Sequence, residues 1–389
     1  MLPLCEDAMN YLLRYLKESK THDQQLLLIT MTLTCLGVVM VYSASAVMAD
    51  KRYHDGFYFL KRQGGFAMVG TLLMLITMQV DYHFWQRWAL KILIFSLLLL
   101  LVVLIPGLGG SAGGSSRWIK IIAGFRFQPS ELAKIALIFY LAFALDRKQE
   151  KIKSLGPGFL SYMVVLLLLM ALLLKQPDLG SVVTLFLVAF IVLFAAGTRP
   201  AYIMTVILLS LPAFYLLVMR VAYRKRRIMA FLDPWQDPQN SGFQIIQSLM
   251  AMGTGGLLGQ GLGAGKQKLF YLPEAHTDFI LAVIGEELGF VGILVVVGLY
   301  FVLVERSLRI ALGAPDPFGR FLALGIAVLL GVEATVNMGV VTGLLPTKGL
   351  ALPLVSYGGS SLLITLSAIG ILLNISTSGN RNAQRLGKK

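Results

Sequence analysis

Asp278 stands in the stretch Pro273-Glu274-Ala275-His276-Thr277-Asp278-Phe279-Ile280, where a polar segment gives way to a long apolar one. A carboxylate at such a junction is partly desolvated, and basic neighbours can keep it ionised, as a general base requires. The same position suits an Asp that merely caps a helix. Spacing alone leaves both open. Glu131 and Lys134 are three apart, so on a helix they share a face and can pair, either for function or as a structural ion pair. Asp178, in Gln176-Pro177-Asp178-Leu179-Gly180, is a site acid or a helix cap. Arg117-Trp118 is a substrate cation beside a ring, or an interfacial anchor. Glu333 and Asn337, four apart in an apolar run, are placed to hydrogen-bond across helices.

Other patterns carry less. Gly259-Gln260-Gly261-Leu262-Gly263-Ala264 fits the dinucleotide fingerprint, but no strand precedes it and no βαβ unit surrounds it. Gly265-Lys266 lacks the first Walker glycine and the following Ser or Thr. His22, His54, His83 and His276 are dispersed, which argues against a metal cluster. Cys5 and Cys35 form no CxxC, and no disulfide is expected between them.

The elements that must position these residues follow from composition. Of 389 residues, 57% are hydrophobic and 14% charged, where soluble domains carry about 25% charged residues. That excludes a disordered chain, a soluble multidomain enzyme and a small disulfide scaffold. A net charge of +14 points, in a membrane protein, to anionic lipid or an anionic substrate rather than nucleic acid. Runs free of charge at 24–49, 63–80, 92–105, 154–174, 179–198, 200–219, 288–304, 318–343 and 358–377, with 130–146 entered through Pro129-Ser130-Glu131, predict membrane helices. The expected fold is an all-α polytopic membrane protein of about ten transmembrane helices, with a large extracytoplasmic loop, 220–282, between helices 7 and 8. Residues 1–23 read as a polar cytoplasmic tail with no cleavable signal peptide, 24–377 as one membrane domain, and 378–389 as a basic cytoplasmic tail. The uncharged segment 241–263 holds too many glycines and glutamines for a span and is expected to be loop with short interfacial helices.

Ten spans put both termini on one side. With cytoplasmic termini, inner segments hold 17 Lys/Arg and outer ones 16, seven of those in the 220–282 loop. Long loops escape the positive-inside rule, and without this one the bias favours cytoplasmic termini. The outer cations include Lys51, Arg52, Lys61, Arg62, Arg117, Lys120, Arg126, Lys175, the 224–227 cluster, Lys266, Lys268 and Lys348. They are scattered snorkelling residues or a basic bowl for an anionic lipid-linked substrate. Outer acids are few, which narrows the choice of base and makes Asp278 the best candidate.

Five blocks carry a family resemblance. They are Gly114-Ser115-Ser116-Arg117-Trp118-Ile119; Phe127-Gln128-Pro129-Ser130-Glu131-Leu132-Ala133-Lys134; Gln176-Pro177-Asp178-Leu179-Gly180; the 273–280 stretch with Gly285-Glu286-Glu287-Leu288-Gly289; and Gly343-Leu344-Leu345-Pro346-Thr347-Lys348-Gly349 with Ser356-Tyr357-Gly358-Gly359-Ser360-Ser361. In order and content they resemble the SEDS family (shape, elongation, division, sporulation) over residues 24–377. Ala351 and Leu354 stand where the family more often has Pro and Phe. Val41-Tyr42-Ser43-Ala44-Ser45, Phe59-Leu60-Lys61-Arg62-Gln63 and the 266–273 stretch are more similar to its cell-division branch than to its elongation branch.

The resemblance implies a ten-helix inverting glycosyltransferase of the bacterial plasma membrane that polymerises lipid II at the division septum. Undecaprenyl pyrophosphate would leave as the 4-hydroxyl of one lipid II attacks the anomeric carbon of another, with Asp278 as essential acid. It implies substrate contacts at Lys61, Arg62, Arg117, Trp118, Glu131, Lys134, Asp178, His276, Thr277, Lys348, Ser356, Gly358, Gly359 and Ser360. Lys61, Arg62, Arg117, Lys134 and Lys348, or a divalent cation (Mg2+ or Mn2+) with Asp278 as a candidate ligand, would stabilise the pyrophosphate. A class B penicillin-binding protein transpeptidase and other divisome proteins would be partners. The competing functions are a lipid II flippase, an elongation polymerase and a divisome scaffold; a transporter would concentrate its charges near the bilayer midplane.

Overall fold

A computed structural model of the chain describes residues 22–105, 109–112, 115–120, 126–149, 152–268 and 272–386. The tail expected over 1–23 lies almost wholly outside these residues, as do 269–271 of the 266–273 stretch. Ten long helices occur among them. They are α1 (Gln24–Tyr53), α2 (Tyr58–Gln79), α3 (His83–Val103), α4 (Pro129–Arg147), α5 (Ser161–Lys175), α6 (Leu179–Ala195) and α7 (Pro200–Met219). After two short helices, α8 (Ala222–Leu232) and α9 (Phe243–Gly255), come α10 (Ile280–Gly313), α11 (Pro317–Val341) and α12 (Gly359–Leu386). Seven regions are long and apolar enough to cross a membrane: α1, α3, Gly158–Lys175, α7, α10, α11 and α12. The protein is a multi-pass membrane protein.

The helices outrun the charge-free runs. α3 begins at His83 and contains Arg87 and Lys91. The Lys91 ammonium lies 4.2 Å above the Trp88 ring, so it leaves the apolar layer without ending the helix. α10 likewise carries Glu286, Glu287, Glu305, Arg306 and Arg309. α12 continues to Leu386, into the tail expected from 378. α4 is apolar nearly all round and sits at the centre, touching α3, α11 and α6. At Gly370 of α12 a Cβ would meet the Met74 carbonyl of α2 at 2.4 Å, the close approach small residues permit between membrane helices.

The helical membrane fold carries one feature that hydropathy does not announce: between α3 and α4 the chain forms an antiparallel three-stranded sheet, β1 (Gly109–Ala112), β2 (Ser115–Lys120) and β3 (Arg126–Phe127). Strands of two to six residues, set among glycines, give no hydropathy period to set against helices of about 20 residues. With one reversal per connection, the sheet lies on the same face as the α1–α2 turn, the α5–α6 turn, the segment from α7 to α10 and the loop from α11 to α12.

Residues 241–263 form the 13-residue α9 and a glycine-rich loop. The loop solves a backbone problem. α10 breaks at Gly289 (φ 70°, ψ −167°), which strands the peptide groups on either side. The loop supplies their partners: Gln260 N–H to Glu286 O and Gly261 N–H to Glu287 O at 3.0 Å, Phe290 N–H to Gly256 O at 2.9 Å and Val291 N–H to Leu257 O at 3.1 Å. Irregular backbone at this depth is tolerable only when satisfied in this way. Gly259 (φ 81°) is needed twice over, because a Cβ there would also lie 2.2 Å from the Glu287 carbonyl. Gly259→Ala should cost about 2–3 kcal/mol in stability, read as a lower thermal midpoint in detergent. Gly253→Ala, whose Cβ meets nothing within 4 Å, should hold or raise the midpoint; equal midpoints for the two variants would remove this account of the loop.

Candidate active site

Residues 273–279 form turns leading into α10. Phe279, not Asp278, precedes the helix, and no side chain caps it. The helix-cap role is therefore absent, and among the described residues no donor bonds the Asp278 carboxylate. Its surroundings come from distant elements. Oδ2 lies 3.1 Å from where a Cβ on Gly349 would stand. The Asp278 carbonyl accepts from Asn337 Nδ2 of α11 at 2.8 Å. The flanking backbone is tied to the α11–α12 loop: Ser356 Oγ donates to Thr277 O at 2.5 Å, and Tyr357 N–H to His276 O at 2.9 Å.

The charges around Asp278 oppose one another. Burial raises its pKa most, the Glu274 carboxylate adds to that, and the Arg227 and Arg117 guanidiniums pull it back; the balance is about 7. The residue as a whole is half-buried rather than sealed from solvent. Arg227, on α8, is fixed by donating to Thr347 O at 3.0 Å and by lying 4.4 Å above the Tyr223 ring. Arg117, on β2, donates through Nη2 to Pro177 O, while Nη1 stands 3.9 Å from Asp178 Oδ1. Asp178 also caps α6, accepting from Ser181 N–H at 3.2 Å. Lys348, beside Gly349, makes no ion pair among the described residues, and burial lowers its pKa.

Other anticipated residues have defined partners of their own. The His276 ring packs on Phe59 (4.7 Å) and Tyr357 (5.7 Å), and Arg62 lies over Tyr58 (4.7 Å). Ser360 Oγ accepts from Gln128 N–H and donates to Arg126 O, each at 3.1 Å, joining α12 to the start of α4. Gly359 opens α12 where a Cβ would meet the Phe66 ring at 2.7 Å, and Gly358 sits just before it. Trp118 pairs with Gly110 across the sheet. Lys61 is held in an exposed pair with Asp55 at 2.9 Å.

Lys134 is not a bare cation. It pairs with Glu131 at 2.9 Å and, across helices, with Glu333 of α11. Lys268, counted among the outer cations, is buried against Glu287 at 2.7 Å, and Ser43 Oγ donates to the same carboxylate at 2.7 Å. Arg227 is one of the 224–227 cluster and Glu274 stands in the 273–280 stretch, but sequence does not show that they face Asp278, nor that Gly349 and the bond from Asn337 do. The one local signal was Tyr223 four residues before Arg227, a spacing that stacks the two on one helical face.

Among the described residues no three His, Cys, Asp or Glu side chains gather closely enough to hold a metal ion. The donor set at Asp278 is one carboxylate near another with two guanidiniums beside it, which does not fit a protein-held divalent cation.

Fold and site together define a multi-pass membrane protein with an acid flanked by arginines on its sheet-bearing face. Residues 23–381 match the family model FTSW_RODA_SPOVE, described as "Cell cycle protein", and the chain belongs to that family. It is 62% identical to the probable peptidoglycan glycosyltransferase FtsW of Geobacter metallireducens, over 93% of this chain and 96% of that one. It is 46% identical to stage V sporulation protein E of Bacillus subtilis, over 91% and 96%. Among solved structures it is similar to one described as structural coordination of polymerization and crosslinking by a peptidoglycan synthase complex (TM-score 0.74, 31% identity, 92% of this chain and 99% of that one). It is also similar to the rod shape determining protein RodA of Thermus thermophilus (TM-score 0.68, 30% identity, 92% and 97%).

Breaking the Lys134 triad from its centre should be costly, because it leaves the buried Glu333 and the half-buried Glu131 without a cation. Lys134→Met should destabilise by about 3–5 kcal/mol. The measurement is the thermal midpoint in detergent, and a midpoint equal to that of the unaltered protein would show the triad to be dispensable.

Proposed function

We infer that the chain is a peptidoglycan glycosyltransferase that polymerises lipid II at the division septum. The observation that carries this is Asp278: a half-buried carboxylate, free of any capping role, flanked by Arg227 and Arg117 from two separate elements. Family membership and the similarity to peptidoglycan glycosyltransferases support the substrate class.

In this account Asp278 Oδ takes the proton of the 4-hydroxyl of one lipid II as that oxygen attacks the anomeric carbon of a second. The C1–O bond to undecaprenyl pyrophosphate breaks with its electron pair on the leaving oxygen, and the linkage inverts from α to β. Inversion needs one base on the attacking side and no covalent enzyme intermediate. Arg117, Lys348 and Arg227 are the cations placed to meet the charge growing on the pyrophosphate. Arg62, with Trp118, His276 and Thr277, lines the approach. Lys134 and Glu131 act behind the site, holding α4 to α11. The sheet-bearing face is extracytoplasmic and the termini cytoplasmic. A class B penicillin-binding protein transpeptidase, with other divisome proteins, is the partner that would cross-link the strands.

Asp278→Asn in reconstituted protein should lower lipid II polymerisation by at least about 10²-fold while leaving the fold intact; normal polymer would sink the assignment. The base form of Asp278 grows as pH rises through about 7, so kcat/KM should climb through neutrality and level off above it. Arg117 and Arg227 lower that pKa, so Arg117→Gln or Arg227→Gln should move the rising limb to higher pH. A profile followed from about pH 5 to 9 that stays flat, or a limb that moves down, contradicts the role given to these groups.

A further inference from the structure

Asn337 is buried on α11, with 2% of its surface exposed. Its Nδ2 donates to two backbone carbonyls, Asp278 O at 2.8 Å and Leu350 O at 2.7 Å. Its Oδ1 is buried and has no partner among the described residues. The orientation is settled by the partners: turned over, the amide would press an oxygen against two carbonyls. A bare buried acceptor costs stability, so the side chain's value lies in the two segments it joins.

Those segments meet at the candidate base. One carries Asp278. The other carries Gly349, whose α-carbon faces Asp278 Oδ2 closely enough that a Cβ would stand 3.1 Å away. Both lie in irregular backbone with no helical ladder to fix them. The bonds from Ser356 and Tyr357 hold Thr277 and His276, leaving Asn337 as the described group that holds the carbonyl of Asp278 itself. The anchor behind Asn337 is firm. Glu333, one turn earlier on α11, is paired with Lys134 of α4 in the middle of the bundle.

We propose that Asn337 is the positioning residue of the Asp278 base, fastening both the Asp278 backbone and the Gly349–Leu350 segment to α11 so that the carboxylate meets the attacking hydroxyl at reacting distance. Asn337 touches no substrate and acts through Asp278, so the proposal rests on the role given to Asp278 above. A small displacement of a base lowers the rate of the chemical step while substrate binding, made by other residues, persists.

Asn337→Asp keeps the shape but cannot donate to two carbonyls; Asn337→Ala removes both bonds; Asn337→Gln keeps a donor. In reconstituted full-length protein, Asn337→Asp and Asn337→Ala should polymerise lipid II with kcat at least about tenfold lower and KM within about twofold, with Asn337→Gln between them and the unaltered protein. Backbone hydrogen exchange at residues 277–279 and 349–351 should quicken in both variants, while exchange along α4 stays unchanged. In the Asp278→Asn background, Asn337→Asp should lower the residual rate no further. Unaltered kcat, a loss carried wholly by KM, unchanged exchange in the two segments, or failure of both variants to fold would each overturn the proposal. Full activity of the Asn337 variants beside an inactive Asp278→Asn removes the positioning alone. An active Asp278→Asn removes the base assignment itself.

Discussion

Lys134 and Glu333 must find each other inside a membrane domain, and much of the remaining arrangement follows from their doing so. A charge left alone at that depth costs several kcal/mol. The side chains are on different helices, α4 and α11, and both are almost fully buried. Their pairing sets the relative height and rotation of the two central helices. Once α11 is fixed, Asn337 one turn later is fixed too, and with it the backbone of Asp278 and the loop at Leu350. The same pairing bears on transport. A carrier needs its intramembrane acid exposed to a changing path, whereas here Glu333 is neutralised in place by a lysine that Glu131 also holds.

The second constraint is backbone satisfaction. α10 has to break at Gly289 so that its first turns rise beside Asp278, and the break would leave peptide groups unmet. The glycine loop after α9 meets them, and the carboxylates at the break hold the loop in turn. Glu286 accepts from Lys266 N–H at 2.7 Å and Glu287 from Gly263 N–H at 3.0 Å. Glu287 then gathers Lys268 and Ser43 of α1. A pattern that resembles a phosphate-binding fingerprint is, in this fold, a patch closing a broken helix. Its glycines serve close backbone approach rather than a nucleotide.

Hydropathy made the helices legible because lipid imposes the rule: about twenty apolar residues, whatever their order. It clipped α3 and α10 at their first charges, since the backbone ladder does not stop where the bilayer does. It was blind to β1–β3, which are too short to show a period. Asp278 itself was legible from scarcity and from its place at a polar-to-apolar junction. Its neighbours were not. Arg117, Arg227, Asn337 and Gly349 lie far from Asp278 in sequence, and only tertiary packing, which sets the sheet, α8 and α11 beside the start of α10, brings them together. Ser43, Lys268 and Glu287 sat in three separate motif blocks with nothing local to say that they meet. Asn337 was expected to bond across helices, but no helical spacing could show that its partners are backbone carbonyls of two loops.

The poise of Asp278 argues that the surrounding loops are arranged for reactivity at some expense in stability. Its folded pKa is raised above the ordinary carboxylate range. Between that range and about 7, the folded chain keeps a proton that the unfolded chain has lost, so stability falls as pH rises through the window. A structure selected for stability alone would give this carboxylate a capping bond or a tight ion pair. Instead the two arginines are committed elsewhere, Arg227 to Thr347 O and Arg117 to Pro177 O. They act on Asp278 through charge without bonding it, which leaves its oxygens open to a hydroxyl. Because these cations come from α8 and the sheet, the proton affinity of Asp278 depends on three segments distant in sequence arriving together. A loop-borne site of this kind is assembled only when the membrane helices beneath it are in register, which ties reactivity on one face to the ion pair buried between α4 and α11.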